Sequence, residues 1–294
     1  MSEPLLEKAL AKINLTLRVL SRRPDGYHQL ESLVAFADLA DKLTLEPGET
    51  TTLEISGPFA KACGPAANNL VLKAVTALRQ RKGGLNAGAF VLEKNIPVAA
   101  GIGGGSADAA AALRLLARAN GLALDDPRLT GAAAAVGADV PVCLDCRPRI
   151  VHGYGDVLSD PLYVPPLSVV LVNPGVPLLT RDVFAAFADA GTQGSKKFIK
   201  VVPRGYEAMI DFLFQHGNDL TRAAISCLPV MADMMIAMRA LPAVRLIRMS
   251  GSGPTCFALF ASPGESVAAA QRLATDYKDW WIKAVIIDSG EARP

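Results

Sequence analysis

The sequence is poor in the residues that build metal centres and disulfide frameworks. It has three histidines, His28, His152 and His216, and five irregularly spaced cysteines, an odd number. Cys143 and Cys146 form one C-x-x-C, but a tetrahedral zinc site needs two more ligands, and no second such pair or H-x3-H follows. The thiols therefore read as free, buried or half-buried. No apolar run approaches the roughly 18–20 residues of a membrane-spanning helix. The first ten residues carry Glu3, Glu7 and Lys8 and lack the apolar stretch of a signal peptide. With 30 basic and 28 acidic residues, net charge is only +2, and no basic run suggests a nucleic-acid footprint. A cytoplasmic protein without nucleic-acid or membrane partners is expected.

Three common phosphate-binding signatures are also missing. A Walker A motif requires Gly-Lys, and the chain has no such dipeptide. A dinucleotide fingerprint starting at Gly101 would need glycine where Ser106 stands. The H-R-D and D-F-G signatures of protein kinases are absent.

What is present is apolar: 51% hydrophobic and 20% charged residues in a chain of 294. That length suggests two domains. Pro161, Pro165 and Pro166 cluster near the middle, so the expected division is 1–162 and 163–294. Residues 9–20 alternate, with Lys12, Asn14, Thr16 and Arg18 on one face and Ile13, Leu15, Leu17 and Val19 on the other, which predicts a half-buried strand. Arg23-Pro24-Asp25-Gly26 reads as a turn. Strands are expected at 29–37, 41–46, 51–56, 89–93, 167–172, 245–249, 257–260 and 281–288. Helices are expected at 69–81, 107–119, 124–136, 181–188, 206–214, 228–240 and 265–277. After the helix that ends at Val136, Ala138–Val142 is expected to be extended. The fold class is α+β, or mixed α/β, in two domains.

The stretch Pro97-Val98-Ala99-Ala100-Gly101-Ile102-Gly103-Gly104-Gly105-Ser106-Ala107 stands out. It holds four glycines in five residues, directly before a strongly helical run. Glycines let backbone N–H groups converge and allow close approach of a bulky anion. The helix N-terminus adds partial positive charge at the same point. A triphosphate suits that description.

Three segments together resemble the galactokinase–homoserine kinase–mevalonate kinase–phosphomevalonate kinase superfamily: Ala11-Lys12-Ile13-Asn14-Leu15, the loop 97–107, and Met249-Ser250-Gly251-Ser252-Gly253-Pro254-Thr255-Cys256-Phe257. Their order spans nearly the whole chain. Arg23-Pro24-Asp25-Gly26-Tyr27-His28, Gly137-Ala138-Asp139-Val140-Pro141 and Asn218-Asp219-Leu220 are similar, more closely, to the 4-diphosphocytidyl-2-C-methyl-D-erythritol kinase family. The resemblance implies two domains, an N-terminal ATP-binding one and a C-terminal α/β one, with the active site in the cleft between them. It implies transfer of the ATP γ-phosphoryl group to the 2-hydroxyl of the methylerythritol moiety, in the non-mevalonate route to isoprenoid precursors. Mg²⁺ would arrive with the nucleotide, and no dedicated protein metal site is expected. The chain would act as a monomer or homodimer.

Phosphoryl transfer needs positioning, charge neutralisation and a partner for the hydroxyl proton. A carboxylate at Asp139 can accept or orient that proton. Lys12 can pair with it and attract the substrate oxygen. The resemblance makes these two the catalytic pair and assigns 97–107 to ATP. It places Asn69 and Lys94 near the adenine and phosphates. Tyr27 and His28 would recognise cytosine, with Phe184, after Thr180, on its other side. Asn14 would bond the substrate, and Gly251 and Gly253 would shape a supporting loop. The sequence departs from the family pattern at Ala107, where a second serine is usual, and at Ile102, where leucine is usual. Two other readings stay open: a different small-molecule kinase of the superfamily, and a silent nucleotide binder. Tyr27-His28 speaks against the first, and retention of Lys12 and Asp139 against the second.

Overall fold

The computed structural model describes residues 3–22, 28–191 and 198–288. Tyr27 and the expected turn at 23–26 lie outside the described residues. The chain divides into two compact units, each assembled from several stretches. The first comprises Met1–Lys12, Leu39–Val98 and Gly103–Cys146; the second comprises Ile13–Asp38, Ala99–Ile102 and Arg147–Pro294. The N-terminal strands and the glycine loop each contribute to both units.

In place of one strand over 9–20, the chain forms β1 (Leu5–Asn14) and β2 (Arg18–Arg22). The expected alternation is present, but the face carrying Lys12, Asn14, Thr16 and Arg18 is buried as well as the apolar one. A period of two tells which residues share a face and not whether that face meets water. β3 (His28–Glu46) is one 19-residue strand where two were expected. β4 (Thr52–Ser56) follows. The helix α1 (Leu70–Arg79) is capped by Asn69, whose side chain accepts from Val71 N–H, and it turns Val71, Ala74, Val75 and Leu78 inward. β5 (Ala89–Glu93) pairs parallel with β4 and antiparallel with Lys42–Glu46 of β3.

The central helix of the first unit is α2 (Gly104–Ala119). It begins three residues earlier than the alanine run suggests, so Gly104, Gly105 and Ser106 form its first turn. Its alanines and leucines are buried nearly all round, and α1 packs against it. The third helix, α3 (Pro127–Val136), starts with Asp126 as cap and Pro127 in the first turn, and packs on both. The next segment is not extended. Val140 N–H bonds Gly137 O, Cys143 N–H bonds Val140 O, and Pro141–Cys143 is a single 3-10 turn.

In the second unit, β6 (Arg149–Gly153) pairs with Leu30–Val34 of β3, and the short β7 (Val157–Leu158) folds back on β6. The sequence reading missed both. β8 (Leu167–Asn173) is buried at every position. The helices α4 (Thr180–Asp189), α5 (Tyr206–Gln215), α6 (Thr221–Cys227) and α7 (Val230–Arg239) follow, of which α6 was unforeseen. Next come β9 (Leu246–Met249), β10 (Cys256–Phe260), α8 (Pro263–Asp276) and β11 (Trp281–Asp288). β10 lies between β9 and β8, and β11 between β8 and β3, all antiparallel. Val170, Val172 and Phe260 on the strands meet Val183, Phe187, Met234, Met238 and Leu273 on the helices in one core. Each large side chain removed from water there contributes roughly 1.5–3 kcal/mol.

Candidate active site

In the first unit, the Lys12 ammonium lies 2.7 Å from an Asp139 carboxylate oxygen. Lys12 comes from β1 and Asp139 from the turn after α3. The lysine is buried and the aspartate half exposed, so a carboxylate oxygen remains open to solvent beside a cation supplied from within. Gly103 rests on the lysine stem. It has φ +66, and a Cβ there would stand 2.9 Å from Lys12 Cβ. Only glycine combines that left-handed conformation with so close an approach.

Gly103 is also the N-cap of α2 and offers no side-chain cap. The first-turn amides of a helix have no intrahelical acceptor. Gly104, Gly105 and Ser106 therefore present donors, reinforced by the helix dipole, to an anion. A Cβ on Gly104 would point inward, 3.1 Å from Lys94 Nζ and 3.2 Å from Ile96, and one on Gly105 would meet Leu70. Ala107 is 1% exposed, so its methyl group also faces inward.

Beneath that turn lies a buried charge cluster. Lys94 Nζ donates to Asp41 and, at 2.7 Å, to Asp108 Oδ2. Asp41 Oδ1 accepts from the backbone N–H groups of Asn95 and Ile96 at 2.5 and 2.8 Å. Asp108 Oδ1 is buried without a partner. Burial, aided by the charge of Asp41, pushes the Asp108 carboxyl up to about 7 against the pull of Lys94. Burial alone would lower the Lys94 ammonium, but the two carboxylates outweigh it and hold the pKa above its usual value. Lys94 thus braces the start of α2 from inside. Asn69 likewise serves first as a helix cap. Asp41 and Asp108 escaped the sequence reading; the signal was a lone acid in a strand pattern and another in an alanine run.

In the second unit, the loop 99–102 lies on the loop 250–255. Thr255 N–H bonds Ala100 O at 3.2 Å, and Ser250 Oγ donates to Gly101 O at 3.0 Å while accepting from Asn14 N–H at 3.1 Å. Ala99 (φ 52) and Gly101 (φ 73) both take left-handed conformations, an uncommon one for alanine. A Cβ on Gly101 would stand 2.8 Å from Ser250 O, and one on Gly251 2.9 Å from Gly101 O. Asn218 Nδ2 donates to Met249 O and Gly251 O, both at 2.8 Å, and so fixes the second loop.

Asn14 Nδ2 donates to Ser32 Oγ at 2.7 Å, whereas its Oδ1 is buried with no partner. An unmet acceptor of this kind costs about 1–3 kcal/mol, which a donor on a bound molecule can offset. Thr180 Oγ1 lies 2.9 Å from Ser252 Oγ. The His28 ring stacks on Phe184 with centroids 5.2 Å apart and planes at 24°, and Phe187 meets its edge. In the segment His152-Gly153-Tyr154-Gly155-Asp156, Asp156 Oδ1 accepts from Tyr154 N–H at 3.1 Å. The C-x-x-C thiols form no disulfide: Cys143 is buried, and Cys146 is half-buried with its thiol donating to Cys143 O at 3.2 Å.

Known proteins resemble this chain over most of its length. The GHMP kinases N terminal domain model matches residues 69–146, and the GHMP kinases C terminal model matches 201–279. A 4-diphosphocytidyl-2-C-methyl-D-erythritol kinase of Rhodopseudomonas palustris (strain HaA2) is 53% identical over 95% of this chain and 97% of its own. Another of the same name, from Bradyrhizobium diazoefficiens, is 49% identical over 95% and 97%. The crystal structure of a 4-(cytidine 5'-diphospho)-2C-methyl-D-erythritol kinase matches with TM-score 0.76 and 33% identity over 96% of this chain and 99% of that one. A homoserine kinase from Cytophaga hutchinsonii, at TM-score 0.65 and 18% identity over 98% of this chain and 96% of its own, shares the fold alone. The chain belongs to the GHMP kinases and, within them, to the family of 4-diphosphocytidyl-2-C-methyl-D-erythritol kinases.

Proposed function

We propose that this protein transfers the γ-phosphoryl group of ATP to the 2-hydroxyl of 4-diphosphocytidyl-2-C-methyl-D-erythritol, in the cytoplasm, as a step of isoprenoid precursor synthesis. The observation that carries this reading is the Lys12–Asp139 pair at 2.7 Å, in the same compact unit as a helix that begins Gly104-Gly105-Ser106.

The chemistry follows from those groups. The acceptor hydroxyl oxygen attacks the γ-phosphorus, the bond to the β,γ-bridging oxygen breaks, and ADP leaves. Asp139 receives or orients the hydroxyl proton, and Lys12 balances the charge of the carboxylate and attracts the acceptor oxygen. The amides of the loop Pro97–Ala107 hold the phosphates, with Mg²⁺ arriving as part of the nucleotide substrate. Asn69 and Lys94 support the nucleotide side by holding the starts of α1 and α2. On the substrate side, the unmet Asn14 Oδ1 accepts a hydroxyl donor. His28, Phe184 and Thr180 serve the cytosine end together with Tyr27, and Gly251 and Gly253 let the supporting loop close on 99–102. Ala107 faces inward, so a hydroxyl missing there leaves the backbone donors intact.

A coupled ADP-release assay with ATP and Mg²⁺ tests the reading, comparing the cytidyl substrate with mevalonate, homoserine and no acceptor. Turnover with the cytidyl compound alone is expected. Turnover with another acceptor would discard the cytosine assignment, and none with any acceptor would leave a nucleotide binder.

A further inference from the structure

Arg114 stands on α2, ten residues beyond Gly104, and its guanidinium is enclosed. Three of its nitrogens are used in different directions. Nε donates to Glu7 Oε2 at 2.8 Å, Nη2 to Lys8 O at 2.8 Å, and Nη1 to Cys143 O at 2.8 Å. Nη1 also lies 3.5 Å from Leu144 O and 3.9 Å from Cys146 Sγ. Lys8 precedes Lys12 by four residues on β1, and Cys143 follows Asp139 by four residues across the 3-10 turn. One rigid side chain therefore holds the main chain on both sides of the Lys12–Asp139 pair. It does so from the helix that begins in the glycine-rich loop, and every group involved belongs to the first compact unit.

We propose that Arg114 is a positioning residue for phosphoryl transfer: it fixes the distance between Lys12 and Asp139 and their placement relative to the start of α2. The inference rests on reading Lys12 and Asp139 as the reacting pair. Arginine suits this task because its planar fork offers five donors in fixed directions, which a lysine cannot supply. The two carbonyls it holds are main-chain groups that point to the same cation from separate elements. Without it the ion pair has no other cross-link of this kind among the described contacts of β1 and the 3-10 turn. A displacement of about 1 Å at reacting groups can cost on the order of 100-fold in rate.

The test is a double-mutant cycle on the full chain, with kcat, both KM values and the thermal midpoint measured for wild type, Arg114→Met, Asp139→Asn and the double variant. Arg114→Met is expected to lower kcat by about 10–100-fold with KM for ATP within about two-fold, since the loop amides remain in place. In the Asp139→Asn background the same change should lower kcat little further, because the group it positions is already lost. Arg114→Lys should recover part of kcat. An unchanged kcat in Arg114→Met, or a loss that is fully additive with Asp139→Asn, would overturn the proposal. Full activity of Asp139→Asn would overturn the reading of the pair and the positioning role with it. Should Arg114→Met not fold, Glu7→Gln removes one charged partner at a half-buried position. A several-fold loss that vanishes in the Asp139→Asn background supports the role, and an additive loss or none overturns it.

Discussion

Lys12 and Asp139 form an unequal pair, 2.7 Å apart, with the lysine side chain 5% exposed and the aspartate 46%. The cation is embedded and the carboxylate accessible. A substrate hydroxyl can reach the acid, while the charge that balances it comes from inside the protein. Asp139→Asn keeps the shape and removes the proposed proton acceptor. Its kcat is expected to fall by about 10²–10⁴-fold, the usual weight of a positioned acid–base group, with ATP affinity nearly unchanged. Steady-state kinetics with a separate nucleotide titration checks this. Full activity would remove Asp139 from the mechanism.

Gly103 and Gly104 act through different contacts. Gly103→Ala places a methyl group 2.9 Å from Lys12 Cβ at φ +66, so it strains the backbone by roughly 1–2 kcal/mol and displaces the lysine. Both the thermal midpoint and kcat should drop. Gly104→Val drives its side chain into Lys94 and Ile96, which displaces the first turn of α2 and should abolish nucleotide binding from within. Isothermal titration with an ATP analogue measures it, and unchanged affinity in Gly104→Val would make the loop structural only.

The buried cluster predicts a pH-dependent stability. The Asp108 carboxyl is pushed up to about 7 in the folded protein, from an ordinary 3.8. Between those values the folded state keeps a proton that the unfolded chain has released. Stability from this group is therefore fully present below pH 3.8 and is lost as pH rises through 7. Lys94, Asp41 and Cys63 are the titratable groups that interact with it. Asp108→Asn should flatten that part of the slope of thermal midpoint against pH between 4 and 7. Identical slopes in the variant and the wild type would show that Asp108 titrates elsewhere.

Phe184→Ala removes the ring that stacks on His28. It should raise KM for the cytidyl substrate by about 5–150-fold, in line with the roughly 1–3 kcal/mol of a base–aromatic stack, and leave KM for ATP in place. Tyr27→Ala is expected to act in the same sense. Equal effects on both substrates would show that these rings do not distinguish the base.

The sequence by itself determined the family, and it singled out the proposed catalytic pair and the proposed phosphate loop, because each reading depends on residue identity at short range. Lys12 has its strand neighbours, Asp139 its Gly-Ala before and Val-Pro after, and the loop its four glycines ahead of a helix-forming run. Most elements were legible for the same reason, since periodicity, caps and breakers are local; β5 and β11 were placed to the residue. Only the tertiary structure decided burial and pairing. It covered both faces of β1, joined 29–37 and 41–46 into one strand, and made 138–140 a turn that leads into the 3-10 turn Pro141–Cys143. It also brought Lys94 to Asp41 and Asp108, and Arg114 to Glu7, Lys8 and Cys143. These partners lie between 14 and 107 positions apart, and no local pattern encodes them. A charged residue in an alanine helix looks the same in sequence whether it meets water or a buried carbonyl; the fold sets that difference through the desolvation it imposes and the partner it supplies.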